Sequence, residues 1–403
     1  MEFLNKKILS NLLPPSSKSI IVFGRNKLNG TDGIMPLLQE SAQKNNSKLI
    51  FCVANYKSAY RAILTNQIFK DVILNNGSLN LLGGKSNIRV IRYFVWFIQL
   101  SLISLHGIFK AKFIHYGELN KFPFKVLRIF FRNRVYLIEN NTNETYYGKA
   151  LDQITEICLG KVRKSKPNYL FDLSCLDKRI IFRESTLKKI QKYKSISYFY
   201  YGRSRSRSSW LNYLMDNKVK YLANNHPGLI KKKFIVVVGT WYGGCFYNET
   251  QDAFEAMLDV FQENFSDEFF LYKPHPLTDI NYVNNEFKKR FLNYEITSLH
   301  PNLLSTEAKL FIGNAFSNVL TDAYLLGIPT IEFSKYIKKL YKITNGHSCS
   351  TKFVTEYINF DKKKLSLVLM NYSKKNIQSL DITKYSYDNP EANLLIEDLR
   401  VTK

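Results

Sequence analysis

Several familiar signatures are missing from this 403-residue chain. It has no GxxxxGK[ST] run, which excludes a P-loop ATPase, and no GxGxxG after its first apolar run, which argues against a dinucleotide enzyme. Asp-x-Asp occurs nowhere, so the acidic pair that would hold a metal-bound nucleotide sugar has no counterpart. Cysteine is sparse. Cys52, Cys158, Cys175, Cys245 and Cys349 lie far apart, none within CxxC, and their number is odd. No zinc spacing results, and a reduced, cytosolic compartment is the simplest expectation. Acid is also scarce, with 33 Asp plus Glu against 58 Lys plus Arg, a formal charge of +25. Such an excess favours polyanionic neighbours: nucleic acid, acidic lipid or acidic glycan. Internal repeats and long low-complexity segments are absent.

What is present suits a packed protein. Hydrophobic residues make up 45% of the chain, and its length fits two domains. The opening "MEFLNKKILSNLLPPSSKS" is too short in apolar residues and too interrupted by lysine for a signal peptide. Phe3, Leu4, Ile8, Leu9, Leu12 and Leu13 recur at helical spacing beside Lys6 and Lys7. That pattern suits either a basic amphipathic anchor on an anionic membrane or a helix docked on the protein's own core. The most apolar stretch, "YFVWFIQLSLISLHGIF" (93–109), is interrupted by Gln99, Ser101, Ser104 and His106, so a buried core helix is expected rather than a transmembrane span. "RSRSRSS" (203–209) is too short for an RNA-recognition module and lacks interleaved aromatics. It reads as a solvated basic loop or a contact for acidic glycan or membrane phosphate. A nucleic-acid partner is not expected.

Short apolar runs alternate with helical patterns. "SIIVFG" (19–24), "KLIFCVA" (48–54), "KFIHYG" (112–117) and "RVYLIE" (134–139) read as buried parallel strands, with helices at about 34–45, 57–68, 90–109 and 121–131. After a basic middle (160–232), read as an interdomain region, the alternation resumes. Strands are expected at 234–240, 268–274, 293–298, 308–313 and 329–333, with helices at about 250–264, 281–291 and 317–326. The expected organisation is an α/β domain over 1–200, a second over 230–350, and helices over 351–403 crossing back to the first.

In open α/β sheets, ligands bind beyond the carboxyl ends of strands. Three loops of the second domain follow strands directly. "GTWYGG" begins with Gly239 and Thr240, where glycine lets backbone approach a ligand closely. "KPHP" places His275 between Pro274 and Pro276 and beside Lys273, so the prolines limit where the imidazole points. "GNAFSN" carries Asn314, and puts Ser317 and Asn318 at a helix start, where free amides and hydroxyls suit an anion. Each also has an ordinary reading, as a turn, a stiff loop or a helix cap; together they point to a nucleotide phosphate.

"KPHP" after a strand, followed by a strand–Gly–Ser–helix element, resembles the His-Pro and Ser-Ser/Thr motifs of bacterial sialyltransferases. The capsule polysialyltransferases are the most similar group, with lipooligosaccharide sialyltransferases as cousins. Those enzymes also carry Leu-Ile-Glu-Glu-Gly-Thr-Gly-Thr-Tyr upstream. Here "YLIENNTNETYYG" (136–148) matches at Leu137, Ile138, Glu139 and Thr142, while Asn140 and Asn141 replace the second acid and the glycine. The resemblance implies a GT-B-like α/β architecture, two Rossmann-like domains facing a central crevice. It also implies inverting transfer of a sialic-acid-like 2-keto sugar (sialic acid, Kdo or a related nonulosonate) from CMP onto a capsule or lipooligosaccharide glycan, lipid-linked in some cases. No metal cofactor is implied. Glu139 would be the base, His275 the acid or phosphate partner, and Ser317 and Asn318 the phosphate cradle. Asp32, in "NGTDGIMP", is the alternative base, although an Asp-Gly turn explains it equally well. The expected location is the cytoplasm, with peripheral attachment at the inner face of the cytoplasmic membrane. Two other classes compete: a CDP-glycerol-type glycerophosphotransferase, and a non-enzymatic polyanion-binding protein.

Overall fold

The computed structural model describes residues 11–16, 18–24, 28–54, 57–84, 86–116, 124–139, 169–172, 177–229, 232–239, 247–275, 278–349, 353–373 and 379–400. The described residues up to 139, with 169–210 and 387–400, form one compact unit; those of 211–386 form another.

The first unit is built on a seven-stranded sheet. Its strands are β1 (Ser19–Gly24), β2 (Lys48–Ala54), β3 (Gly77–Leu82), β4 (Lys112–Tyr116), β5 (Val135–Ile138), β6 (Lys178–Ile181) and β7 (Tyr198–Tyr200), in the order β3-β2-β1-β4-β5-β6-β7. All pair in parallel. The connecting helices are α1 (Leu28–Asn45), α2 (Lys57–Thr65), α3 (Gln67–Asn76), α4 (Arg89–Ile108), α5 (Phe124–Phe131) and α6 (Glu184–Ile190). Such a sheet is covered on both faces, which is why β1 and β5 read as unbroken apolar runs. The C-terminal helix Pro390–Leu399 belongs to this unit. Its Asp398 accepts hydrogen bonds from Tyr136 Oη and Lys178 Nζ, both at 2.6 Å.

Three strands of this sheet depart from the expected pattern. In β3 the polar Ser78 and Asn80 are buried, and Asn80 Nδ2 donates to Ser78 Oγ at 3.0 Å. Gly77 opens the strand because a Cβ there would lie 1.8 Å from the Leu49 carbonyl oxygen. In β6 the buried Arg179 donates to the carbonyls of Leu170, Asp172 and Asp177. The stretch 177–200, inside the expected 1–200 domain but with no strand expected in it, supplies the last two strands of the first sheet. The short β7 is its edge.

The "RSRSRSS" segment is not a solvated loop. Arg205 and Arg207 are only 7% and 3% exposed. Arg205 pairs with Asp32 at 2.5 Å. Arg207 grips Glu40 through Nε and Nη2, both at 2.9 Å, and lies over the Tyr201 ring. Tyr201 Oη and Lys44 Nζ also donate to Glu40, each at 2.8 Å. Asp32 and Glu40 both stand on α1, which starts at Leu28 and absorbs the expected Asp-Gly turn.

Helix α4 is the one helix among the described residues long and apolar enough to cross a membrane. It was expected to be a buried core helix, and only one of its faces is. Val95, Gln99, Leu100, Ile103 and His106 are buried. Gln99 fastens it to the end of β3, accepting from the Gly83 N–H at 2.8 Å and donating to the Leu81 carbonyl at 3.3 Å.

The second unit holds a six-stranded sheet: β8 (Phe234–Val238), β9 (Phe269–Lys273), β10 (Asn293–Ile296), β11 (Ala308–Gly313), β12 (Thr330–Ser334) and β13 (Glu356–Asn359). Its order, β10-β9-β8-β11-β12-β13, is all parallel and reverses direction between β8 and β11. Its longer helices include α7 (Tyr247–Asn264), α8 (Ile280–Lys289), α9 (Asn318–Leu325) and α10 (Lys362–Ser373). Strand β13 lies where only helices were expected.

The Glu40 site makes a pH prediction. Burial by itself would raise this carboxyl, but donation from Arg207, Lys44 and Tyr201 outweighs it and holds the pKa down to about 2. A depressed folded-state pKa contributes stability that is full above the unfolded value of 4.5 and is lost as the pH falls toward 2. The denaturant midpoint should therefore fall progressively below pH 4.5. Arg207→Ala should cost about 3–5 kcal/mol at neutral pH and flatten that acid slope. An unchanged midpoint in this variant would show that Glu40 does not depend on Arg207.

Candidate functional site

The residues singled out in the second unit gather at one sheet edge, and the register shows how. Val238 pairs with Lys273 on one side and with Gly313 on the other, and Gly313 pairs with Glu332. Lys273, Val238, Gly313 and Glu332 thus form one row across β9, β8, β11 and β12. Each loop leaves just beyond this row: Gly239 after β8, His275 after β9 and Asn314 after β11. The row spans the β8–β11 reversal, the place where open α/β sheets leave a crevice for ligands.

At Gly239 the close approach is to the neighbouring strand, not to a ligand. This residue is buried, and its N–H donates to the Lys273 carbonyl at 3.0 Å. A Cβ at this position would fall 1.8 Å from Tyr272 Oη, and Tyr272 is itself buried. His275 is half-buried two residues past β9, and its carbonyl accepts from the Thr278 N–H at 2.9 Å. Lys273 Nζ donates to the Leu299 carbonyl at 2.7 Å, tying the end of β9 to the segment after β10. Thr240 and Pro276 lie outside the described residues.

After β11, Asn314 is fully buried and donates to the Thr250 carbonyl at 2.9 Å. It therefore fixes the loop against the first turns of α7. Ser317 is the N-cap of α9, accepting from the Val319 N–H at 3.2 Å, and Asn318 is the first helical residue. An accepting hydroxyl keeps its own proton to donate. The positive end of α9 faces the same loop, an arrangement suited to an anion.

Glu332 was not anticipated. It is fully buried beside Gly313 and accepts from Ser334 Oγ at 3.0 Å, Tyr336 Oη at 2.5 Å and Ser348 Oγ. Burial pushes its carboxyl up against the pull of those three hydroxyls. The signal was an acid inside the apolar run "PTIEF".

The other two His-Pro pairs do structural work. His226 is buried, with Nδ1 2.5 Å from Glu295 Oε2. His300 is the N-cap of the helical turn Pro301–Leu304, its Nδ1 accepting from the Asn302 N–H at 3.1 Å. Only His275 among the three is partly open.

In the first unit, Glu139 directly follows β5 and is fully buried. Oε1 accepts the N–H groups of Phe182 (2.5 Å) and Arg183 (2.8 Å). Oε2 accepts from Arg183 Nε (2.9 Å) and Thr186 Oγ1 (2.8 Å). Burial pushes its carboxyl up, opposed by Arg183, the Phe182 amide and Thr186. A raised carboxyl suits a base, but a substrate hydroxyl would have to displace one of four donors. As it stands, Glu139 locks β5 to the start of α6. Asp32 is held by Arg205, as described above. Among the described residues, no group of three His, Cys, Asp or Glu side chains is placed to hold a metal ion.

Two Rossmann-like α/β units with these strand orders define a GT-B-type fold. No protein-family model and no curated protein sequence matches the chain. Solved structures match in fold. UDP-GlcNAc 2-epimerase from Methanocaldococcus jannaschii superposes with a TM-score of 0.52 at 11% identity, covering 94% of this chain and 98% of that one. The complex of the M. jannaschii enzyme with UDP-GlcNAc and UDP gives 0.50 at 14% identity, with coverages of 94% and 98%. UDP-N-acetylglucosamine 2-epimerase from Rickettsia bellii gives 0.50 at 10%, with coverages of 94% and 95%. At such identities the likeness is one of fold. The resemblance to sialyltransferases accordingly holds at the level of the GT-B-type fold.

Glu139→Gln separates the two jobs open to that carboxylate. Removing one partner of a buried pair should cost about 3–5 kcal/mol in denaturant unfolding. A variant as stable as wild type but without activity would assign Glu139 to the reaction instead.

Proposed function

We propose that the chain is a glycosyltransferase whose donor nucleotide binds at the carboxyl edge of the second sheet. The observation that carries this reading is the register row Lys273–Val238–Gly313–Glu332, with Gly239, His275 and the start of α9 placed just beyond it. The fold neighbours named above support it, since one was solved holding UDP-GlcNAc and UDP.

The donor we propose is a CMP-linked 2-keto acid sugar, and the acceptor a bacterial surface glycan. The His-Pro and Ser elements support this choice. Transfer from such a donor breaks the bond between the anomeric carbon and the CMP phosphate oxygen and forms a bond to the acceptor oxygen. The acceptor proton must pass to a base, for which Glu139 and Asp32 are the proposed groups. The departing phosphate gains charge and needs donors where that charge develops. His275, the Ser317 hydroxyl and the amides at the start of α9, Asn318 included, fill that role. Gly239 makes room for the Tyr272 ring beneath the proposed site, and Asn314 and Lys273 hold the loops in place. A metal ion is not required by this scheme.

Calorimetry with CMP, CDP and UDP, each with and without magnesium, tests the site. CMP should bind without the metal. Tighter binding of UDP, with turnover of a UDP-sugar, would overturn the donor assignment, and turnover of CDP-glycerol would move the protein to another reaction class. His275→Ala should lower kcat by about 10²–10³ with the fold intact, as for loss of one oxyanion donor. His347→Ala, at an exposed position, is the control, because His226 and His300 are structural. Equal, small effects at His275 and His347 would reduce "KPHP" to a stiff turn.

A further inference from the structure

Helix α4 presents two faces, and the mechanism uses neither. The outward stripe is Val90, Phe94, Phe97, Ser101, Leu105 and Ile108, recurring at helical spacing along the whole element. Val90 is 76% exposed and Phe97 66%. The one polar member, Ser101, donates its hydroxyl proton to the Phe97 carbonyl at 3.0 Å, so it offers little polarity outward. Helix α5 lies alongside. A Cβ on Gly107 would come within 3.0 Å of Phe130, and Arg134 Nη2 bridges the carbonyls of Gly107 and Phe130 at 2.7 and 3.1 Å. Helix α5 adds Ile129, 63% exposed, and Val126 to the apolar surface. Large aromatic and aliphatic side chains in one continuous exposed band are rare on a surface that meets only water.

Charge decides between possible occupants. From 86 to 134 the sequence carries nine basic residues, Arg89, Arg92, Lys110, Lys112, Lys121, Lys125, Arg128, Arg132 and Arg134, and one acid, Glu118. Arg89, Lys125 and Arg132 are exposed. A band of Phe, Leu and Ile beside basic side chains is the pattern of a helix lying in the headgroup region of a bilayer. A spanning helix is ruled out by the opposite face, because Val95, Leu100 and Ile103 are buried in the unit's core and Gln99 is bonded to the end of β3. We propose that the exposed face of α4 and α5 docks on an anionic phospholipid surface, with α4 in the plane of the interface and the flanking Arg and Lys side chains on lipid phosphates.

Flotation of the full chain with phosphatidylglycerol-containing vesicles, against phosphatidylcholine alone, tests this independently of the nucleotide site. Wild type should float with the anionic vesicles, and added salt should weaken that binding. The triple change Phe94→Ser, Phe97→Ser and Ile129→Ser should lower the partition coefficient by about a hundredfold. Arg89→Glu with Lys125→Glu and Arg132→Glu should remove the preference for anionic lipid while leaving the apolar stripe intact. Unchanged unfolding midpoints would show that both variants remain folded. Wild type failing to float, or the triple variant floating like wild type, would overturn the proposal. So would a wild-type dimer in sedimentation that the triple variant dissociates, since a second copy would then cover the face. None of these outcomes depends on whether CMP binds.

Discussion

Everything in this protein's architecture follows from strands that all run the same way. Each parallel strand must be re-entered from its starting edge, so the chain crosses back over the sheet after every one. All the loops that follow strand ends therefore open on one edge. In the second sheet that edge collects a glycine, a histidine and a helix start from segments far apart in the chain. Parallel pairing also demands cover on both faces, and this is what makes β1, β5, β8 and β11 so apolar.

Charge is handled differently inside and outside. Arg179, Arg205 and Arg207 contribute to the formal excess of +25 yet are buried, held by carbonyls or by Asp32 and Glu40. A buried cation of this kind organises its surroundings, because every donor must find a partner. The net charge of the sequence is thus a poor guide to its surface. What bears on a polyanionic neighbour is the local run around α4 and α5, where Arg128 is paired with Asp177 while Arg89, Lys125 and Arg132 are exposed.

The parts of the fold legible in the sequence were those where burial was uniform. Strands β1, β2, β4, β5, β8, β9, β11 and β12 announce themselves as apolar runs, while β10 (Asn293–Ile296), partly exposed throughout, is placed by the alternation from which the doubly wound class follows. β3, β6 and β13 did not, because Asn80, Arg179 and the half-exposed ends of β13 break the pattern while tertiary partners satisfy them. The Arg-Ser segment was misread for a related reason. Its three arginines look solvated until α1 supplies Asp32 for Arg205 and Glu40 for Arg207. In the candidate site, loop positions such as His275 and Ser317 could be read directly, since they follow strands. Glu332 was marked only by being an acid inside the apolar run "PTIEF", and the three hydroxyls that make its burial tolerable emerge only once Ser334, Tyr336 and Ser348 are folded around it. The difference between His275 and its two counterparts before proline rests on burial and on the bonds of His226 to Glu295 and of His300 to the Asn302 amide, which the fold supplies.

The contact between Gly239 and Tyr272 bears on how such a protein could diversify. The tyrosine fills the space that any side chain at position 239 would need, so the floor beneath the strand ends admits no variation there without rebuilding β9. Variation at this sheet edge would therefore have to enter elsewhere, as at the half-buried first turn of α9. A lineage with this floor would keep the packing beneath the strand ends while that turn changed.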